Sequence, residues 1–205
     1  MKKQLILSAS AAVALGAPAA SMAESLDFNY KVDRFADIEV LRYKVPDFEQ
    51  LTIQQKELVY YLTEAALYGR DILTDQNGKY NLAIRTTLEN IYKNYDGSKD
   101  DADYKGFVLY LKQVWFANGI HHHYSTDKFT PQFSQTFFET QVKKLSKKQL
   151  PLKKGQTVDA FLKEITPVIF DPTVMAKRVN QANGQDLILT SANNYYEGVT
   201  QAEVE

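Results

Sequence analysis

Three stretches between Thr52 and Ala117 bring apolar residues back every three or four positions, and that period confines the chain largely to helices packing a stripe against a core. In the first, Thr52 and Gln55 have the capping-box spacing, and Leu58, Val59, Leu62, Ala65 and Ala66 form a stripe expected to face that core. Asp75-Gln76-Asn77-Gly78 reads as a turn. A second helix is predicted from about Tyr80 to Tyr95, with Ile84, Leu88 and Ile91 on one face, before Asp96-Gly97-Ser98 stops it. A third is predicted from Asp101 to Ala117, burying Phe107, Leu111, Val114 and Trp115, and Asn118-Gly119 supplies its left-handed exit.

Around these helices the pattern is less regular. Ile38 to Val45 is β-branched and aromatic, so a strand is expected, with a bulge where the alternation slips at Val40-Leu41 and an end at Pro46. A fourth helix is expected from near Pro131, carrying Phe133, Phe137 and Phe138 into a run rich in lysine, Lys143 to Lys154. That run reads as a solvated helix end and linker, since a phosphate-binding patch would interleave arginines and aromatics. A short fifth helix runs from Thr157 to Ile165, Asp186 to Thr190 reads as a strand, and Tyr195-Tyr196-Glu197-Gly198 reads as a turn. The fold class is therefore mainly α with a few β-strands. Thr200 and Glu203 repeat the capping-box spacing with only Val204 and Glu205 after them, and on that ground the chain is expected to be the front of something longer.

Composition narrows the chemistry. The 205 residues include no cysteine, which removes disulfides, thiolate nucleophiles, cysteine-ligated zinc and iron–sulfur clusters. With 24 Lys+Arg against 25 Asp+Glu, there is no field to gather nucleic acid, and no nucleic-acid partner is expected. Thirteen tyrosines against one tryptophan suit surfaces that are half apolar and half hydrogen-bonding.

The first 23 residues read as an export leader: Lys2 and Lys3, an uncharged run from Leu5 to Ala20, then Ser21-Met22-Ala23 with cleavage expected after Ala23. The run is shorter than the roughly 20 residues that span a bilayer and is interrupted by Gly16 and Pro18, so an uncleaved anchor is the weaker reading. No cysteine follows it to carry a lipid. The mature protein is expected to be periplasmic or secreted, with no membrane association after cleavage. Residues 24–150 then read as a strand plus a helical region, and 151–205 as a helix and strand segment that continues it.

All three histidines lie in Asn118-Gly119-Ile120-His121-His122-His123-Tyr124. In an extended segment His121 and His123 share a face, the H-x-H arrangement of two zinc ligands, with His122 turned away and a third ligand left to a distant carboxylate. The alternatives are a structural loop, whose rings stack on Trp115, Phe116 and Tyr124, and a loop lining a substrate cleft. Asn193, Asn194, Tyr195 and Tyr196 form a second polar-aromatic cluster, able to present amides and hydroxyls to a peptide or to satisfy a turn. Asp71, Asp75, Asp100, Asp101 and Asp103 show no evident pairing, and Asp100 and Asp101 suit a helix start. No H-E-x-x-H helix, G-x-S-x-G elbow, P-loop or G-x-G-x-x-G occurs.

Several longer strings resemble the opening of bacterial members of the dipeptidyl peptidase III family of zinc metallopeptidases. They are Phe35-Ala-Asp37 through Leu41-Arg-Tyr43, Pro46 through Leu58, Gly69-Arg-Asp-Ile-Leu73, Asp75 through Asn81, Val114 through Tyr124 and Lys128-Phe129. Val168 through Pro172, Lys177 through Asn180 and Leu189 through Thr200 belong to the same pattern, so the resemblance covers nearly the whole mature chain. It implies a peptidase that removes dipeptides from the N-termini of short peptides, with zinc in a cleft between two lobes. The family's zinc motif H-E-x-x-G-H and its second carboxylate helix are both missing from these residues. On the resemblance, this chain is the N-terminal part of the lobe opposite the zinc, with strands of a small, incomplete barrel, and its partner is the C-terminal zinc lobe of the same polypeptide. No catalytic residue, metal ligand or bound cofactor is then expected in this chain. By loop placement and hydrogen-bonding chemistry, Asn118, Gly119, His121, His123, Tyr124, Asn193, Asn194 and Tyr195 are the substrate-facing candidates. Two other readings stand beside this one: an autonomous periplasmic peptide-binding or interaction module, and a small metal hydrolase built on His121 and His123.

Overall fold

A computed structural model describes residues 28–205. The leader and its cleavage position lie outside the described residues. The described chain is mainly helical with one two-stranded sheet, and it divides into two compact units, one up to Glu49 and one from Gln50 to Glu205.

In the first unit, β1 (Lys31–Phe35) pairs antiparallel with β2 (Ile38–Leu41). The strand expected over 38–45 is thus shorter, ending before Arg42. Its irregularity falls where the alternation slips, but the extra residue, Val32, belongs to β1: Lys31 faces Leu41 and Asp33 faces Val40. Arg42 donates its Nε–H to the Asn29 carbonyl at 2.7 Å and lies over the Phe28 ring at 4.8 Å.

The second unit begins with α1 (Ile53–Tyr68), nucleated as expected by the reciprocal Thr52–Gln55 capping box. The expectation for its stripe fails. No residue of α1 is buried, and Leu58, Val59 and Leu62 stand in solvent, Leu62 at 61% exposure. Local capping and helix propensity suffice to form the helix, whereas burial needs a facing surface that the described residues do not provide.

Next comes α2 (Arg70–Gln76), which takes in Asp75 and Gln76, two residues expected in the turn. The core is then built by α3 (Asn81–Asn94), α4 (Ala102–Ala117), α5 (Gln135–Lys144) and α6 (Val158–Phe170). The unit continues through 150 and 151 without a break. Ile84, Leu88 and Ile91 of α3 meet Phe107, Leu111 and Val114 of α4, with Phe138, Val142, Ile165 and Ile169 closing the cluster. Aromatic rings carry much of it: Tyr95 stacks on Tyr104 at 4.1 Å, and Phe107 meets Phe133 edge-on at 5.7 Å. Trp115 is half-buried rather than in the core, because its Nε1–H donates to Glu89 at 2.9 Å and its ring meets the edge of Tyr92.

Other boundaries move for local reasons. The helix expected from Pro131 starts at Gln135, since Ser134 is the residue that caps it, and Asp103 of α4 binds both the N–H and the hydroxyl of Ser134 at 2.7 and 2.8 Å. Helix α6 runs past Ile165 to Phe170, with Pro167 inside it. The segment predicted as a strand from Asp186 is instead a single helical turn, α7 (Leu187–Thr190), because the Asp186 carboxylate accepts the N–H groups of Ile188 and Leu189 at 2.9 Å. The last capping box does form, at the start of α8 (Gln201–Val204). The lysines of the run are all exposed, with Lys144 paired to Asp96 and Lys153 to Glu164, but Leu145 and Leu150 between them are buried in the core.

Helix α4 has no room at Gly106, where a Cβ would stand 1.8 Å from the Gln132 carbonyl oxygen. Gly106→Ala must displace backbone and is expected to cost about 1–3 kcal/mol or more in urea unfolding. An unchanged midpoint would mean that the 130–133 segment does not cross there. By contrast, Leu62→Glu on bare α1 should change stability by no more than ~0.5 kcal/mol, while Leu88→Ala in the core should cost about 2–5 kcal/mol.

Candidate functional site

The chain leaves α4 through Asn118, in the left-handed region at φ 52°, and Gly119 at φ 152°. This exit is tightly packed. A Cβ on Gly119 would lie 2.4 Å from the Asn81 amide nitrogen, and one on Gly78 would lie 2.8 Å from it, so the Asn81 side chain sits between two glycines. From that position its Oδ1 accepts the Ile120 N–H at 3.3 Å. Asn77, at the end of α2, donates its amide to the Asn118 carbonyl at 3.1 Å, and its Oδ1 accepts from Arg178 at 3.2 Å.

Arg178 is the centre of this arrangement. A second guanidinium nitrogen donates to the His123 carbonyl at 3.2 Å, its N–H donates to the Thr126 carbonyl, and its own carbonyl accepts the Asn193 N–H at 3.1 Å. Asn194 follows, donating its N–H to Gln76 at 2.9 Å and its amide to Asp75 at 3.4 Å. The two clusters singled out in the sequence, 118–124 and 193–196, are therefore brought together through Arg178 and the end of α2. Sequence reasoning missed Asn77, Asn81 and Arg178 as the members that join them. All three lie in strings quoted for the family resemblance, but neither the run of Asn and Gly between apolar helices nor anything beside Arg178 marked them as the residues that join the clusters.

The histidines do not form the expected extended segment. After His121 bridges to Lys128, the chain turns: His122 donates its N–H to the Asp127 carbonyl at 2.8 Å, and Thr126 returns one to His122. The turn places the His122 and His123 rings 4.4 Å apart instead of on opposite faces. His123 meets Phe116 edge-on at 5.0 Å and Tyr124 at 4.4 Å, whereas Trp115 is engaged elsewhere. His122 Nδ1 accepts the N–H groups of Tyr124 and Ser125. Among the described residues, no group of three or more His, Asp or Glu side chains is arranged to hold a metal ion.

His121 is turned inward, at 3% exposure, and its Nε2 lies 2.7 Å from the Met175 carbonyl. A carbonyl only accepts, so Nε2 carries the proton and Nδ1 keeps its lone pair, buried and without a hydrogen-bond partner among the described residues. Burial, with the positive charges of Lys128 and Arg178 nearby, pushes its pKa down from 6.5 to about 4. Lys128 donates to the carbonyls of Val168, Asp171 and Val174 at the end of α6, and burial holds its pKa below the ordinary lysine value. A pocket of about 440 Å³, lined in part by Lys128, Phe129, Pro131, Ile169 and Phe170, adjoins it.

What reaches solvent here is phenolic. Tyr124 is 85% exposed, and Tyr195 and Tyr196 are exposed as well, beside an ion pair between Lys79 and Glu197. The scattered aspartates prove to be structural. Asp71 pairs with Arg85, Asp100 with Lys105, Asp101 caps α4 through the Tyr104 N–H, and Asp103 holds Ser134. No model of a known protein family matches the chain, and no curated protein matches it either.

The unfolded chain takes up a proton at His121 near pH 6.5, whereas the folded chain resists until about pH 4. Its contribution is thus complete above pH 6.5 and falls away as pH drops from 6.5 toward 4, by about 3 kcal/mol in all. His121→Gln keeps a donor for Met175 without titrating, so its stability should slope less steeply with pH across that window. Parallel slopes for the two proteins in urea titrations would place the titrating group elsewhere.

Proposed function

We propose that this chain is the N-terminal part of an exported, zinc-dependent dipeptidyl peptidase of the dipeptidyl peptidase III type. In this reading its knot of loops borders the cleft that holds a short peptide. One observation carries the proposal. Four strings quoted for the family resemblance, Asp75–Asn81, Val114–Tyr124, Lys177–Asn180 and Leu189–Thr200, are far apart in the chain yet converge on the Asn77–Arg178 knot. Strings that are distant in the chain and tied to one another in space are what a loop-built site on a rigid helical scaffold needs.

Helix α1 supports the same reading from another side. Its apolar and aromatic residues, including Leu58, Tyr60, Leu62, Leu67 and Tyr68, lie around its whole circumference and are exposed. A helix apolar on all sides is normally enclosed, and no helix among the described residues is long and apolar enough to cross a membrane. A further lobe of the same polypeptide is the enclosing surface we propose. In this two-lobed arrangement β1 and β2 would be strands of a small barrel completed by later sequence. Zinc, its ligands and the glutamate that polarises the attacking water would belong to that further lobe, which makes the present chain inactive alone.

The continuous apolar cluster of α3 to α6 favours a second reading, an autonomous periplasmic peptide-binding module. A dipeptidyl reporter assay separates the possibilities. Residues 24–205 should show no hydrolysis with or without added zinc, while the product of the gene read in frame past Glu205 should be active and chelator-sensitive. In that longer product Tyr124→Ala should raise KM about tenfold with kcat little changed, the mark of lost ground-state binding. Zinc-dependent turnover by residues 24–205 alone would overturn the proposal, and a stop codon directly after Glu205 would leave the module.

A further inference from the structure

Three Asn-Gly pairs occur in the chain, Asn77-Gly78, Asn118-Gly119 and Asn183-Gly184. In such a pair the glycine N–H has no side chain beside it, so its nitrogen can reach the preceding side-chain carbonyl carbon if both are free to move. The first two pairs are locked. Asn77 uses its amide on the Asn118 carbonyl and its Oδ1 on Arg178, and the Gly78 N–H donates to Asp75 at 3.1 Å. The Gly119 N–H donates to Val114 at 3.1 Å, and both Gly78 and Gly119 are buried.

The third pair is different in every respect. Asn183 and Gly184 are exposed at the apex of a turn closed by the Gln185 N–H on the Ala182 carbonyl at 3.2 Å. Gly184 is at φ 77°, and no atom lies within 4 Å of where its Cβ would stand. Among the described residues neither the Asn183 amide nor the Gly184 N–H has a hydrogen-bond partner.

We infer that Asn183 is a site of spontaneous deamidation, and that the fold protects the other two pairs from the same reaction. The Gly184 nitrogen, giving its proton to solvent base, bonds to Asn183 Cγ. The Cγ–Nδ2 bond breaks, and Nδ2 leaves as ammonia. The resulting succinimide takes up one water. Opening at the side-chain carbonyl gives aspartate, and opening at the main-chain carbonyl gives isoaspartate, whose backbone runs through Cβ and Cγ. An amide and a water have become a carboxyl group and ammonia, with no change of oxidation state. The new negative charge appears three residues before Asp186, which caps α7 and accepts the Gln201 N–H at 3.0 Å. The lesion therefore falls on the arch between Asn180 and α7, outside the Asn77–Arg178 contacts.

Purified protein held in mildly alkaline buffer and mapped by peptide mass spectrometry tests this. Mass gain at the Asn183 peptide should outpace that at the Asn77 and Asn118 peptides by more than about tenfold, because those pairs must first open locally. In denaturant the three rates should converge, and Asn183→Gln should remove the fast reaction without moving the unfolding midpoint. Equal rates at the three pairs in native buffer, or no gain at Asn183, would overturn the inference.

Discussion

The left-handed exit of α4 constrains everything at its end of the unit. Asn118 takes a conformation that most side chains avoid, and Gly119 follows where the Asn81 amide leaves no space for a Cβ. Once the chain has turned there, the Asn118 carbonyl points at Asn77, Ile120 is fixed by Asn81, and His121 is carried into the interior against Met175. Thr126 and Met175 also have positive φ, at 62° and 51°, and both are non-glycine residues held by the segments that cross here. Strained residues of this kind persist only where their surroundings over-determine them, and Arg178 with Lys128 supplies those surroundings.

That polar end rests on a core made without covalent staples. A chain with no cysteine must hold its helices by shape alone, and here flat rings meet flat rings: Tyr95 on Tyr104, Phe107 against Phe133, Phe133 against Phe170. Close backbone approach does the rest at Gly106, and the Asp103–Ser134 link ties the start of α4 to the cap of α5. These contacts fix where α4 and α6 lie. The loops that leave their C-terminal ends, at Asn118 and Asp171, are therefore presented to each other, and Lys128 bridges them by satisfying the last carbonyls of α6.

How much of this was legible in the residues depends on whether the deciding interaction is local. The capping boxes at Thr52 and Thr200, the stripe of α3 and the left-handed exit after Ala117 were readable because each is settled within a few positions. Asp186 to Thr190 misled because β-branched residues favour a strand, while one carboxylate accepting two N–H groups outweighed them. The histidine triplet misled for the opposite reason. Extended geometry was a fair local expectation, yet the turn from His122 to Asp127 is held by Arg178 and Lys177 from fifty or more residues away. The candidate residues of the site were thus legible as two separate clusters, and the asparagine and arginine that join them were not.

Helix α1 shows what local legibility leaves undetermined. It obeys each local rule, with a satisfied cap, good helix formers and regular spacing, and still buries nothing among the described residues. In the core helices local pattern and burial agree at every predicted position but Trp115, so the disagreement in α1 is a property of that segment and not of the chain's general composition. The polar side chains of the knot are tied to one another by hydrogen bonds, although Asn81 Nδ2, His121 Nδ1 and Arg178 Nε are buried without a partner among the described residues, while the apolar side chains of α1 stay exposed there. Exposed polar groups are satisfied by water, but exposed leucines, valines and tyrosines on every side of a helix gain only by removal from it. Among the described residues α1 thus has apolar surface whose removal from water would be favourable, and its stability as a helix rests on local capping and propensity rather than on burial.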